Sequence, residues 1–245
     1  MHTKMKKSRI SNRLSRGAMM LSLAFLPFLT SCLDDDDSKL ESVPVAYVSF
    51  YHGSPSTSGL SIEVDNRLYN TNSFRYSTYF DYGNFYTGER TFTFKSVNAA
   101  NTLLDTTVTF EPDMAYSFFI SEGDEGFVPV IVEDELKTPA EGKALVRLVH
   151  LSPDAPAVNL QIEGEENELF ADQEYRKVTD FKEIEAGRLG LVLSSATGSE
   201  DLVTAENVHI NEGRIYTLVL RGYVDAASGS SDRLSLQVVR NYPNY

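Results

Sequence analysis

The sequence predicts an all-β protein whose bulk forms two tandem antiparallel β-sandwich domains. Three observations carry that expectation. Apolar residues recur at every second position through most of the chain. One unit of about 100 residues occurs twice. Long helical periods are missing.

The amino-terminal end reads differently from the rest. Residues 1–31 hold six basic side chains (Lys4, Lys6, Lys7, Arg9, Arg13, Arg16) and no acidic one. An apolar run of 12 residues, Ala18 to Leu29, follows, then Thr30, Ser31 and Cys32. A basic start, a short apolar stretch and small residues before a cut describe a secretory signal peptide. A permanent transmembrane helix needs ~20 apolar residues. Leu29-Thr30-Ser31-Cys32 resembles the bacterial lipobox, which implies removal of residues 1–31 and lipidation of Cys32. Each buried CH₂ of a lipid chain contributes ~0.8 kcal/mol, and stable anchoring needs more than one chain. Cys32 is the only cysteine, so neither an intramolecular disulfide nor a cysteine-based metal site is available.

Residues 32–43 are expected to be an acidic tether. Asp34, Asp35, Asp36 and Asp37 repel one another and extend the chain. Their position directly behind the lipidated cysteine resembles the export signal of surface lipoproteins in Bacteroides-like bacteria. That resemblance implies an outer-membrane, lipid-anchored protein exposed at the cell surface. Four consecutive aspartates lack the spaced ligands and turn glycine of a calcium loop. Without the six basic residues of the signal, 16 basic and 35 acidic residues remain, a formal charge of −19. Such a chain is a poor partner for nucleic acid or anionic lipid, and it suits cations or neutral ligands such as glycans.

The internal repeat organises the remainder. Ala46-Tyr-Val-Ser-Phe-Tyr-His52-Gly-Ser54-Pro55 matches Ala144-Leu-Val-Arg-Leu-Val-His150-Leu-Ser152-Pro153 at an offset of 98. Tyr76, Asp81, Tyr82 and Gly88 match Tyr175, Asp180, Phe181 and Gly187 at 99, and Val108 and Tyr116 match Val208 and Tyr216 at 100. The expected domains are residues 44–138 and 142–245, joined near Lys137-Thr-Pro-Ala-Glu-Gly142. Period-two strands are predicted at Leu60–Val64, Val158–Ile162, Arg90–Phe94, Arg188–Leu193 and Arg233–Val238. Glu163 to Glu185 is Glu-rich without clear period, and reads as a long edge loop.

Residues 144–164, ALVRLVHLSPDAPAVNLQIEG, resemble the opening motif of the bacterial domain-of-unknown-function 4397 family. Tyr175, Thr179-Asp180-Phe181 and Ala186-Gly187 resemble its later motif. The first copy departs, with Pro55-Ser56-Thr57-Ser58 in place of Pro-Asp-Ala-Pro. The resemblance implies exported, often tandem, Ig-like β domains without an assigned activity.

His52 and His150 end matching strands on the row Ala46, Val48, Phe50 and Ala144, Val146, Leu148. If Ser49 and Arg147 point to water, each histidine caps an inward row and holds the adjoining Ser-Pro turn. A metal ligand or general base is the alternative role. Asp154, Glu163, Glu165, Glu166 and Glu168 could supply an acid/base pair for glycoside hydrolysis, but no spacing selects one, and a solvated acidic loop accounts for them. Nucleophile elbows, zinc motifs, phosphate loops and dinucleotide fingerprints are absent from the sequence, so no catalytic residue, cofactor or metal is expected.

Residues 74–94 hold nine aromatics, where 173–193 hold only Tyr175 and Phe181. Such rings suit either a core or a sugar- or protein-binding surface. Tyr79, Phe80, Phe85 and Tyr86 are the candidate ligand contacts. The leading expectation is a non-catalytic, cell-surface binding or adhesion module for glycan or protein. A structural accessory lipoprotein of an outer-membrane assembly and an enzyme on extracellular polysaccharide are the alternatives.

Overall fold

The computed structural model describes residues 43–57, 59–97, 101–198 and 200–241. Cys32, expected to be lipidated, and the aspartates 34–37, expected to direct export, lie outside the described residues. Among those described there is no helix, and 16 strands form four four-stranded sheets.

The first eight strands are β1 (Val45–His52), β2 (Leu60–Val64), β3 (Arg67–Leu68), β4 (Tyr79–Tyr86), β5 (Gly88–Ser96), β6 (Thr102–Phe110), β7 (Ala115–Gly123) and β8 (Gly126–Glu133). They make two sheets, ordered β4-β1-β7-β8 and β3-β2-β5-β6. The next eight are β9 (Lys143–His150), β10 (Val158–Ile162), β11 (Glu168–Gln173), β12 (Lys182–Glu185), β13 (Gly187–Ser195), β14 (Asp201–Ile210), β15 (Ile215–Arg221) and β16 (Ser235–Asn241). Their sheets, β12-β9-β15-β16 and β11-β10-β13-β14, repeat the first order strand for strand. Each unit is thus a β-sandwich. All pairs are antiparallel except β1/β7 and β9/β15, which run parallel.

Alternation explains the two cores. Ala46, Val48 and Phe50 of β1 face Leu60 and Ile62 of β2 and Phe92 and Phe94 of β5. In the second unit Ala144, Val146 and Leu148 face Leu160, Ile162, Leu191 and Leu193. The same hydrogen bond closes both corners before the seventh strand of each unit. The Tyr116 hydroxyl accepts from Glu111 N at 3.2 Å, and that of Tyr216 from Asn211 N at 3.0 Å. A tyrosine bonding back to backbone a few residues upstream is an immunoglobulin-type device. In the strand order β1 lies between β4 and β7.

Two expectations are corrected here. Glu163 to Glu185 contains two strands, β11 and β12, not one long loop. Both are sheet edges with little to bury, chiefly Phe170 and Ile184, so the apolar period is too sparse to read. Ser49 and Arg147 do not point to water: both are buried, Arg147 to 2% exposure. The face on which they stand is covered by the other sandwich. Tyr51 and Phe119 from the first unit cluster with Val149, Leu151, Val219 and Val239 from the second.

Arg147 carries its charge into that interface. Its guanidinium pairs with Asp134, donates to Ser117 Oγ at 2.7 Å and to Thr217 Oγ1 at 3.0 Å, and lies 4.5 Å from the Phe181 ring centre. Asp134 also accepts from the Tyr82 hydroxyl at 2.7 Å and from Ser117 Oγ at 2.6 Å. Removing one partner of a buried, hydrogen-bonded ion pair leaves a desolvated charge and costs about 3–5 kcal/mol. Asp134→Ala is therefore expected to lower the urea midpoint sharply, and the double variant Asp134→Leu/Arg147→Met to recover most of that loss. A single variant as stable as the parent would mean that water reaches the pair.

Candidate functional site

The loops after β1 and β9 carry the repeated His-x-Ser-Pro motif, and their bonding is structural. Ser152 N donates to His150 Nδ1 at 3.3 Å, which leaves the proton on Nε2, 3.0 Å from the Pro156 carbonyl. Ser152 Oγ donates to Gly222 O at 2.6 Å, and Asp154 accepts from Val224 N and Asp225 N. Asp154 therefore ties the β9–β10 loop to the β15–β16 loop. In the first unit Ser54 N donates to His52 Nδ1 at 3.3 Å, but Nε2 of this fully buried ring has no partner among the described residues. Among the described residues no cluster of three or more His, Cys, Asp or Glu side chains could hold a metal ion.

Burial keeps both histidines neutral, with His52 pushed down to about 4 and His150 lowered as well. The unfolded chain takes up protons near 6.5. Stability from this source is thus complete above about pH 6.5 and is lost as the pH falls toward 4. For His52 the difference corresponds to roughly 3 kcal/mol. Urea midpoints measured from pH 7 to 4 should fall through this window, and His52→Gln should flatten the slope. An unchanged slope in that variant would place the acid sensitivity elsewhere.

The aromatic stretch divides between core and surface. Phe74, Tyr82, Phe85, Phe92 and Phe94 are buried. Of the four candidate contacts, Phe85 sits in the first core, with ring centres 5.8 Å from Phe50 and 5.9 Å from Phe92. Phe80 is half-buried against the same core, 4.7 Å from Phe74. Tyr79 is half-buried against the interface cluster, and its hydroxyl donates to Asp81 at 3.3 Å. Tyr86 alone is exposed, to 64%.

Tyr86 stands on the rim of a cleft of about 490 Å³ at one end of the first sandwich. Two residues, Asp65 and Asn66, connect β2 to β3, with φ of 49° and 64°. Positive φ at both positions of a two-residue hairpin is the type I′ signature, which Asp and Asn tolerate. The turn presents Arg67, exposed Leu68 and Tyr69 beside the end of β4. The Tyr69 ring centre lies 5.1 Å from that of Phe85, which forms part of the cleft wall. Gly83 makes room for Tyr69: a Cβ there would come within 2.8 Å of the tyrosine hydroxyl. Asn84 and Arg90 add polar groups. Arg90 donates to Asp65 Oδ2 at 2.7 Å and to Thr87 O at 3.0 Å. The Thr91 amide, helped by the Arg90 and Arg67 guanidinium charges, holds the Asp65 carboxyl below the usual carboxylate range against the opposing effect of desolvation. Two of the four residues singled out in the sequence, Phe85 and Tyr86, line this cleft, and Tyr79 and Phe80 do not. Sequence reasoning missed Arg67, Tyr69 and Asn84, although the Asp-Asn pair before Arg67 is a hairpin signal.

Residues 46–161 match the family model described as Domain of unknown function (DUF4397). The matched span covers the first sandwich and runs through β9 into β10 of the second. No curated protein matches the sequence. Among solved structures, a family 26 carbohydrate-binding module from Eubacterium rectale Amy13K, in complex with maltoheptaose, aligns at 11% identity and a TM-score of 0.26. The alignment covers 81% of this chain and 98% of that one. A structure described as alpha-glucan binding by a streptococcal virulence factor aligns at 12% identity and a TM-score of 0.24, over 71% of this chain and 93% of that one. Similarity at that level locates no ligand site in this chain.

Proposed function

The chain belongs, through residues 46–161, to the family described as Domain of unknown function (DUF4397), and from that premise we propose a non-catalytic glycan-binding module, tethered by lipid at Cys32 and displayed on the cell surface. The observation that carries the reading is the cleft between the β2–β3 hairpin and the end of β4. A concave site of this volume, apolar in its walls and fitted with a few polar groups, suits a small ligand. Tyr86 offers a ring face to the apolar face of a sugar, and Tyr69 offers a half-exposed second one. Asn84 and the Asp65–Arg90 pair supply donors and acceptors for sugar hydroxyls. The sheet holds these groups before any ligand arrives, so little ordering entropy opposes binding. Lipid attachment and surface display rest on the Leu-Thr-Ser-Cys run and on Asp34 to Asp37.

Two pairs of measurements test the proposal. On a glycan array and then by calorimetry, Tyr86→Ala should weaken binding of a captured glycan by ~2 kcal/mol, as truncation of an aromatic anchor does. Its melting temperature should stay within about 2 °C of the parent, as expected for an exposed position. Phe85→Ala is the contrast, with a core loss of about 3–5 kcal/mol. Unchanged binding by Tyr86→Ala would remove the cleft from the reading. In cells, Cys32→Ser should abolish incorporation of labelled fatty acid, and alanine at all four aspartates should reduce digestion by external proteinase. Labelling of the Cys32 variant would put the anchor elsewhere, and equal digestion would leave the aspartates as a spacer.

A further inference from the structure

The charges at the cleft rim deepen this reading and depend on it. The chain as a whole is strongly acidic, which by itself disfavours an anionic ligand. The rim reverses that balance locally. It carries two arginines, Arg67 and Arg90, against one carboxylate, Asp65. Asp65 is already committed, since Oδ2 receives Arg90 and Oδ1 accepts from Thr91 N at 3.0 Å. Arg67 is exposed, and its charge acts on Asp65 together with that of Arg90, which leaves the rim with a net positive charge of one. Arg90 Nε is buried and unpartnered. At physiological ionic strength charges more than ~8 Å away are largely screened, so a bound ligand responds mainly to these nearest groups.

We propose that the cleft selects glycans bearing a carboxylate, such as uronic-acid units, with Arg67 pairing the carboxylate while Tyr86 stacks on the sugar ring. A guanidinium presents a planar fork that matches a carboxylate with two parallel hydrogen bonds, and charge-assisted bonds are about twice as strong as neutral ones. Asp65 meanwhile keeps Arg90 oriented by Nη1, so that the second arginine does not need the ligand to hold it in place.

Calorimetry on the full chain, with an oligogalacturonate and the same oligosaccharide reduced at its carboxyls, tests the assignment. The parent should bind the carboxylated form roughly tenfold or more tightly, as a charge-assisted bond implies. Arg67→Ala should erase that preference while changing affinity for the reduced form less than about twofold, since it leaves Tyr86 and the Asp65–Arg90 pair in place. Equal affinity of the parent for the two forms would overturn the carboxylate assignment and leave the glycan-binding reading standing. A parallel loss of both affinities in Arg67→Ala would do the same. Binding of neither oligosaccharide, nor of any other glycan, would overturn the inference together with the function on which it rests.

Discussion

Arg147 and Asp134 place a full positive and a full negative charge where neither sandwich alone would bury them. Arg147 comes from β9 in the second unit, and Asp134 follows β8 in the first. Around the pair stand Ser117 and Tyr82 from one side and Thr217 and Asn241 from the other. Thr217 Oγ1 and Asn241 Oδ1 are 2.9 Å apart, and Asn241 Nδ2 reaches the Tyr82 hydroxyl at 3.1 Å. An interface of valine and phenylalanine alone could pack in several registers with little change in energy. The guanidinium meets its acceptors in one arrangement, so the polar pair selects the register that the apolar contacts stabilise. Tyr51 with Gln237, and Tyr175 and Arg176 with the Glu122 carbonyl, bond across the same boundary further out. Two units of repeated topology thereby form one packed body with three buried layers.

That middle layer explains what was legible in the sequence and what was not. Alternation marked β2 and β10 residue for residue, because one face of each strand meets the core and the other meets solvent. It misplaced Ser49 and Arg147 because period two says which residues share a face, not what covers the opposite one. A signal was nevertheless present. In β9, β7 and β15 both faces are largely apolar, as in Val-Arg-Leu-Val-His, and strands covered on both sides lose their alternation. Arg147 stands in the middle of such a run, and a buried arginine requires a partner outside its own strand. The partner, Asp134, lies just past the end of β8 in the linker region, where spacing alone could not identify it.

The aromatic excess of the first copy has a similar explanation. Phe50, Phe94, Phe110 and Phe118 occupy positions whose counterparts, at offsets of 98 to 100, are Leu148, Leu193, Ile210 and Leu218. The two cores solve one packing problem with different side chains, rings in one and branched aliphatics in the other. Composition could not separate those rings from ligand contacts, since a strand such as β4 alternates faces and sends Phe85 inward and Tyr86 outward. Parity along β4 is what distinguishes them, and it becomes usable only once β1 is known as its neighbour.

Divergence of the first copy therefore acts at two ends of the same sandwich with different consequences. At the His52 end, where Pro55-Ser56-Thr57 stands for Pro-Asp-Ala, the histidine Nε2 has no partner among the described residues, whereas that of His150 meets the Pro156 carbonyl, and a buried polar atom without a partner is destabilising. At the other end, a two-residue turn between β2 and β3 replaces the five residues, 163–167, that separate β10 from β11. The short turn brings Arg67 and Tyr69 close against β4, over the surface opened by Gly83. The motif shared by both copies fastens loops to the sandwich. The candidate chemistry lies instead on residues the copies do not share, as expected if a repeated scaffold is kept for stability while one copy is free to acquire a ligand.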